Sequence, residues 1–310
     1  MSELSALRLT PQIMDQTVLA GLQGDQQAIT TLSEQMATGN LINKPSDNPA
    51  GIVQVLSLQA SLARSKQFQA NAATGLNLLQ LSTSTLNTAL DQMQKIRTLI
   101  LSAGNSVNDA GGLPAITSQV ADLEQSLVSL ANTSYGGRPI FGGASAAPTI
   151  YTVVPPSGGT GGSVTYAGSG EAPTVAVAPG VTVPAGVAGV FGDGTAGSVS
   201  VFGAINQVLA DLQTGNVAAV TTSGLHAFDQ AFQQVTDAAG QAGAAYQQLE
   251  TMSQQAATTT QEIQTSYANV QSADLAEVSS ALAQQQTDYE SALYAAAKVT
   301  QLPTLQAFLA

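Results

Sequence analysis

His226 is the single histidine of the chain and cysteine is absent. A transition-metal cluster or a thiolate nucleophile therefore has no residues to build on, and His226 reads as a solvated helix-face residue. Gly192 to Gly197, G-D-G-T-A-G, meets the G-x-G-x-x-G spacing, with Asp211 further on. That spacing cradles a pyrophosphate only between a strand and a helix N-terminus. The residues that follow, S-V-S-V-F, alternate like a strand, so a β-turn is the better reading. G-G-T-G-G near Gly158 lacks the Lys and Ser/Thr of a phosphate-binding loop. The carboxylate pairs Asp122/Glu124 and Asp288/Glu290 stand two residues apart, which points them to different faces of a helix and leaves no acid/base pair. No catalytic, cofactor-binding or metal-ligating residue is assigned, and the chain is not expected to be an enzyme.

The totals restrict partners as well. The 310 residues carry a net charge of −12, and no Lys or Arg lies between Arg138 and Lys298. Nucleic acid is excluded as a partner, because phosphate binding requires clustered basic residues. Charged residues are only 9% of the chain and aromatics 5%, with no Trp. Ala, Gln, Ser and Thr take their place, a composition suited to long helices that touch through small residues and bury part of their apolar stripe on other chains. The start M-S-E-L-S-A-L-R-L-T-P-Q has no basic segment leading into an apolar one, so no cleaved signal is expected. No run of 18 apolar residues occurs, which argues against a spanning helix and membrane insertion despite a mean hydropathy of +0.14.

The elements that any assembly would need are clearer. Met14, Val18, Leu22, Ile29, Leu32 and Met36 have helical spacing, and Asp25 fills the one position left polar. Gly39 is suited to cap that helix in the left-handed conformation. A second helix should begin near Asp47, with Ser46 or Asp47 as the capping acceptor and Pro49 in the first turn. Its seam runs from Ile52 and Val55 through Leu62, Leu76, Leu79, Leu86, Leu90 and Met93 to Ile100. About fifty helical residues would extend ~75 Å, so a rod is expected. A turn over 104–114 leads to a third helix with Ile116, Val120, Leu123, Leu127 and Leu130 on one face.

From Gly136 to about Gly203 Gly, Pro, Val and Thr dominate. S-V-T-Y, T-V-A-V and S-V-S-V alternate between turn signals, which favours a compact β unit over a low-complexity loop. After a short helix near 205–212, the seam Leu225, Phe228, Phe232, Val235, Ala239, Ala242, Tyr246, Leu249, Ser253, Ala256, Thr260, Ile263, Tyr267, Val270 alternates steps of three and four without exception, a heptad pattern. The phase fails at Asp274. A shifted stripe then follows: Leu275, Val278, Leu282, Tyr289, Leu293, Ala296, Val299 and Leu302. Both ends of the chain thus separate a short terminal helix from a long inner one, at 39–49 and at 271–274, and a paired joint explains both breaks.

These fragments resemble the flagellin superfamily and, within it, the family of hook-filament junction proteins, the third hook-associated proteins. The resemblance rests on L-S-E-Q-M-A-T-G (32–39) with I-N-K-P-S-D-N-P (42–49), G-R-P-I-F-G-G (137–143), V-T-Y-A-G (164–168) with G-V-F-G (189–192), and A-D-L-A-E-V-S-S-A-L-A-Q-Q-Q-T (273–287) with A-A-K-V-T-Q-L-P-T-L (296–305). Ala50-Gly51, Asn48 and Leu302-Pro303 depart from the junction pattern, the first toward flagellin.

The resemblance implies a mostly α fold, a long antiparallel coiled-coil-like rod from both chain ends with a β-rich inserted outer domain. Residues 1–43 with 271–310 would form a terminal tube-core domain, 44–148 with 204–270 a helical rod domain, and 149–203 the outer domain. It implies a structural subunit joining hook to filament, exported without a cleaved signal to the outside of the cell. Its implied partners are copies of itself in a tubular array, a neighbouring hook-associated protein, flagellin and an export chaperone. No cofactor is implied. Flagellin itself, and a secreted adhesin-like protein with its binding function in the β insertion, are the alternatives.

The expected assembly seam is Met14, Val18, Leu22, Ile29, Leu32, Met36, Leu275, Val278, Leu282, Tyr289, Leu293, Val299 and Leu302. The expected interdomain joint is Gly39, Asn43, Pro45, Ser46, Asp47, Pro49 and Asp274. A lone terminal helix with one apolar stripe does not offset the ordering entropy of its residues, so residues 1–40 and 271–310 are expected to be mobile in the monomer and to order on assembly.

Overall fold

The computed structural model describes residues 11–105, 111–145, 147–154, 163–193 and 199–300, the side chains of 11–15 and 299–300 excepted. The chain is mostly α, with long helices from both of its ends and small antiparallel strand pairs between them. In order these are α1 (Pro11–Thr38), α2 (Pro49–Ala103), α3 (Gly112–Ala131), β1 (Ser134–Tyr135), β2 (Arg138–Pro139), β3 (Tyr151–Val154), β4 (Ser163–Tyr166), β5 (Thr174–Ala178), β6 (Val181–Pro184), α4 (Val201–Gln213), α5 (Val217–Ala219), α6 (Leu225–Gln271) and α7 (Leu275–Thr300). A π-helical turn, Val220–Gly224, links α5 to α6. Two compact units result: Met1–Ala63 with Gln261–Ala310, and Arg64–Thr260.

The larger unit is built on α2 and α6, and the seven-residue period of each explains why. On α2 Ser65, Ala72, Leu79, Leu86, Met93 and Ile100 are buried, and on α6 Phe228, Val235, Ala242, Leu249 and Ala256 are buried. A period of seven keeps one face of a helix toward its neighbour. Polar contacts at several points reinforce the antiparallel alignment. Arg97 Nε donates to Asp229 Oδ1 at 2.7 Å, and the hydroxyls of Ser65 and Thr260 lie 2.7 Å apart inside the seam. Gly75 permits the approach between them, since a Cβ there would stand 2.6 Å from Leu249 Cδ2.

The β residues share this core. β3 pairs with β4 and β5 with β6, each antiparallel. Asn71 Nδ2 on α2 donates to the Ala176 carbonyl of β5 at 3.0 Å. Val177, Val183, Tyr151 and Phe191 are buried in the cluster that holds Leu79 and Val208. Around Phe191, Phe141 and Tyr151 meet it edge-on at 5.4 and 5.9 Å between ring centroids, a favoured aromatic geometry.

Three local expectations are corrected. Val199, Ser200 and Val201 of S-V-S-V form no strand: Ser200 caps α4, its hydroxyl accepting from Gly203 N–H at 3.1 Å, because a Ser before an apolar helical face serves the free N–H groups better than a ladder does. A helix thus follows G-D-G-T-A-G after all. Residues 185–193 ahead of it form no strand, so the nucleotide-binding frame is still incomplete; residues 194–198 lie outside the described residues. Second, α2 is capped by Asn48, whose Oδ1 accepts from Gly51 N–H at 2.8 Å, with Pro49 at the first helical position; neither Ser46 nor Asp47 plays that part. Third, each terminal helix already has a partner inside the chain, because α1 and α7 pack against each other.

Candidate assembly site

The smaller unit brings the two breaks together. Gly39, at φ 69°, ends α1 by donating its N–H to the Gln35 carbonyl at 2.8 Å. The chain then runs beside the α6–α7 break: Leu41 N–H donates to the Gln271 carbonyl at 2.7 Å, and Ala273 N–H to the Gly39 carbonyl at 3.0 Å. Gln271 is buried, and its Nε2 donates to the Ile42 carbonyl at 2.8 Å. Ile42 is buried too, and it explains Gly51: a Cβ at that position would lie 2.6 Å from Ile42 Cδ1.

Asp47 closes the turn from within. Its Oδ2 accepts from the N–H groups of Asn43 at 3.1 Å and Lys44 at 2.8 Å, while Pro45, Ser46 and Pro49 stay exposed around it. Asn43 Oδ1 accepts from the Thr38 hydroxyl at 2.9 Å, and its Nδ2 donates to the Asn40 carbonyl at 3.1 Å. Lys44 Nζ lies 2.8 and 2.7 Å from the two Glu34 oxygens. That bond, first among the causes, holds the ammonium above its ordinary value. On the other strand of the joint, Asp274 Oδ1 caps α7 by accepting from Ala276 N–H at 2.9 Å. Of the expected joint residues, Gly39, Asn43, Asp47 and Asp274 take part in these hydrogen bonds, while Pro45, Ser46 and Pro49 lie exposed beside them. Ile42, Asn48, Gly51 and Gln271 belong to the joint as well. Asn-Pro as a cap followed by a first helical position was a readable sign of Asn48; nothing local distinguishes Gln271 from the many glutamines around it.

On the seam, Val18, Leu22, Ile29, Leu32, Leu282 and Tyr289 are half-buried and Val278 is buried. Met36, Leu275 and Leu293 remain exposed. The side chains of Met14 and Val299 are not described, and Leu302 lies outside the described residues. Gln285 Nε2 on α7 donates to Asp25 Oδ1 on α1 at 2.8 Å. Large apolar side chains stay outward beside it, Leu19 at 57% exposure, Leu293 at 43% and Tyr294 at 78%.

His226 is exposed on α6 with its Nε2 3.2 Å from Gln230 Nε2. Of the paired carboxylates, Asp122 is exposed, whereas Glu124 is half-buried and accepts from Asn206 Nδ2 at 2.9 Å. Burial raises the Glu124 carboxyl above its ordinary value, and the Asn206 bond opposes the shift. Among the described residues no three His, Asp or Glu side chains gather as a metal site, and no helix is long and apolar enough to cross a membrane.

Known proteins bear on this arrangement. Residues 10–146 match the bacterial flagellin N-terminal helical region. The chain is 27% identical over 138 residues to flagellar hook-associated protein 3 of Salmonella typhimurium, covering 44% of each protein. It is 28% identical over 117 residues to flagellin A of Vibrio cholerae, covering 37% of this chain and 31% of that one. The chain therefore spans less than half the length of these curated relatives. A crystal structure of FlgL from Xanthomonas campestris superposes with a TM-score of 0.58 at 19% identity, over 68% of this chain and 99% of that one, a likeness of fold. The resemblance read from the sequence fragments and these matches point the same way.

Proposed function

We propose, from the flagellin-type N-terminal region together with the half-covered terminal helix pair, that this chain is a structural subunit of the bacterial flagellum that joins the hook to the filament. The observation that carries the reading is α1 packed on α7 with Leu19, Leu293 and Tyr294 left outward. Copies in a tubular array would bury those side chains, each contributing on the order of 2 kcal/mol when fully covered. Residues 1–43 with 271–310 then form the tube wall, 44–148 with 204–270 the helical body, and 149–203 the outward part. A neighbouring hook-associated protein and flagellin are the contacts along the axis. An export chaperone holds the C-terminal region before release outside the cell. The chain acts by assembly and carries out no reaction.

A strain lacking this chain tests the reading. Hooks without filaments, restored by the wild-type gene, are expected, and normal filaments would overturn it. Similarity to flagellin A supports one second reading, filament flagellin. Growth of the purified chain alone into long filaments would favour that reading. The adhesin-like reading is disfavoured, because Val177 and Val183 of the hairpins are spent on the common core.

A further inference from the structure

β1 and β2 form a hairpin whose tip stands clear of the rest of its unit. Gly136 and Gly137, at φ 59° and 80°, make its two-residue turn, the pair of positive φ angles that a type I′ turn requires and that glycine adopts without strain. A Cβ built at either would meet nothing within 4 Å. Ser134, Tyr135 and Arg138 are exposed around that turn, whereas Ala131 before it and Pro139 and Ile140 after it are buried. Its base is fixed, with Ile140 N–H donating to the Thr133 carbonyl at 2.9 Å. Arg138 forms no ion pair among the described residues, although acidic residues outnumber basic ones by 20 to 8 in the chain. Arg97 and Lys44, by contrast, are taken by Asp229 and Glu34.

The same unit holds a groove of about 1250 Å³ between residues 184–193 and one face of α6. Asp193, Gln230, Gln233, Asp237, Gln241 and Gln248 line it with carboxylates and amides, and no Lys or Arg does. Its two walls are joined, because Gln234 Nε2 on α6 donates to the Val190 carbonyl at 2.9 Å. Asp237 Oδ1 accepts from Gln233 Nε2 at 2.8 Å, which leaves Oδ2 for another donor. Covering these carboxylates with a neutral apolar segment would be costly. A guanidinium suits them, since its fork of donors meets a carboxylate and amide oxygens together.

We propose that the β1–β2 tip docks in the α6 groove of a second copy of this chain, with the Arg138 guanidinium on the Asp237 carboxylate and the Tyr135 ring seated beside it. A rigid tip loses little conformational freedom on binding, and Tyr and Arg are the side chains that most often dominate an interface. Tip and groove are different surfaces, so each copy can give one and receive the other. Such a head-to-tail contact repeats around a ring or along a helix. The choice of partner rests on the assembly reading, and it names surfaces by which copies meet outside the terminal helices.

Cysteine is absent from the chain, so single substitutions report contacts directly. Purified full-length Ser134→Cys, at the tip, is mixed at high concentration with Gln241→Cys, in the groove, and oxidised. The mixed disulfide is expected to exceed by about tenfold that formed with Gln247→Cys, which is exposed on α6 outside the groove. Arg138→Glu in the tip chain should abolish the excess, as should Asp237→Arg in the groove chain, and combining the two should restore it. All of these sites are exposed, so helicity by circular dichroism should stay at the wild-type value in every variant. Equal yields at 241 and 247 overturn the proposal. So does an excess that survives Arg138→Glu, which would mean that the groove holds some other part of the neighbour, and so does failure of the combined variants to restore it. Hooks without filaments in the deletion strain together with equal yields would leave the assembly reading standing and remove this contact; a clear excess with normal filaments would do the reverse.

Discussion

Asn132 holds Tyr151 by both sides of its amide. Its Oδ1 accepts from the N–H groups of Tyr151 at 2.9 Å and Ile150 at 3.0 Å, and its Nδ2 donates to the Tyr151 carbonyl at 2.7 Å. The residue stands just past the last turn of α3, so one side chain both finishes a helix and places the first strand of the longer hairpins. Asn132→Ala is expected to destabilise the larger unit by about 3 kcal/mol, because buried backbone groups lose their partners. Urea unfolding followed by tyrosine fluorescence measures this, and a loss below about 1 kcal/mol would mean water replaces the amide.

Glu124 is the carboxyl with a burial-raised value, so the sign of its pH dependence follows. A raised carboxyl value in the folded chain leaves its contribution complete below the unfolded value and removes it as pH rises through the folded one. Glu124→Gln should therefore match the wild type in melting temperature at pH 4 and exceed it at pH 8 by on the order of 2 °C, after discounting for its partial exposure. Equal melting curves at both pH values would contradict the assignment.

Arg97 and Asp229 bridge α2 and α6 but remain 37% and 40% exposed. A double-mutant cycle with Arg97→Ala and Asp229→Ala should give only a small coupling, fading in 1 M salt. A coupling that persists at high salt would show a pair more shielded than its exposure indicates.

Gly39 has open space where a Cβ would go, so Gly39→Ala strains only the backbone at φ 69°. A penalty of about 1 kcal/mol is expected. Amide exchange at Leu41 and Ala273, whose N–H groups bridge the joint, should quicken about fivefold. Exchange unaffected at both amides would place the joint's stability elsewhere.

Heptad counting reached the helices because periodicity is written locally. Every seam position given for α6 is buried or half-buried. Chain breaks were legible for the same reason, since Gly39, Pro49 and Asp274 each act on their own helix end. Partnerships were not. Asp25 and Gln285 carry no mark that one meets the other, and a stripe on a terminal helix reads alike whether its cover is the other end of the chain or another molecule. Ser200 misled because alternation of small polar residues with valine suits a strand, while a capping hydroxyl depends on the helix that follows it.

The amide of Gln271 reaches the carbonyl of Ile42 across 229 positions of chain. That separation sets an order of events. Closing so wide a circle carries an entropic toll that short-range packing does not, so the terminal helices dock after the interior has collapsed. A nascent α1 must wait for α7 to be synthesised before it finds its cover, and until then its leucines are open to any passing apolar surface.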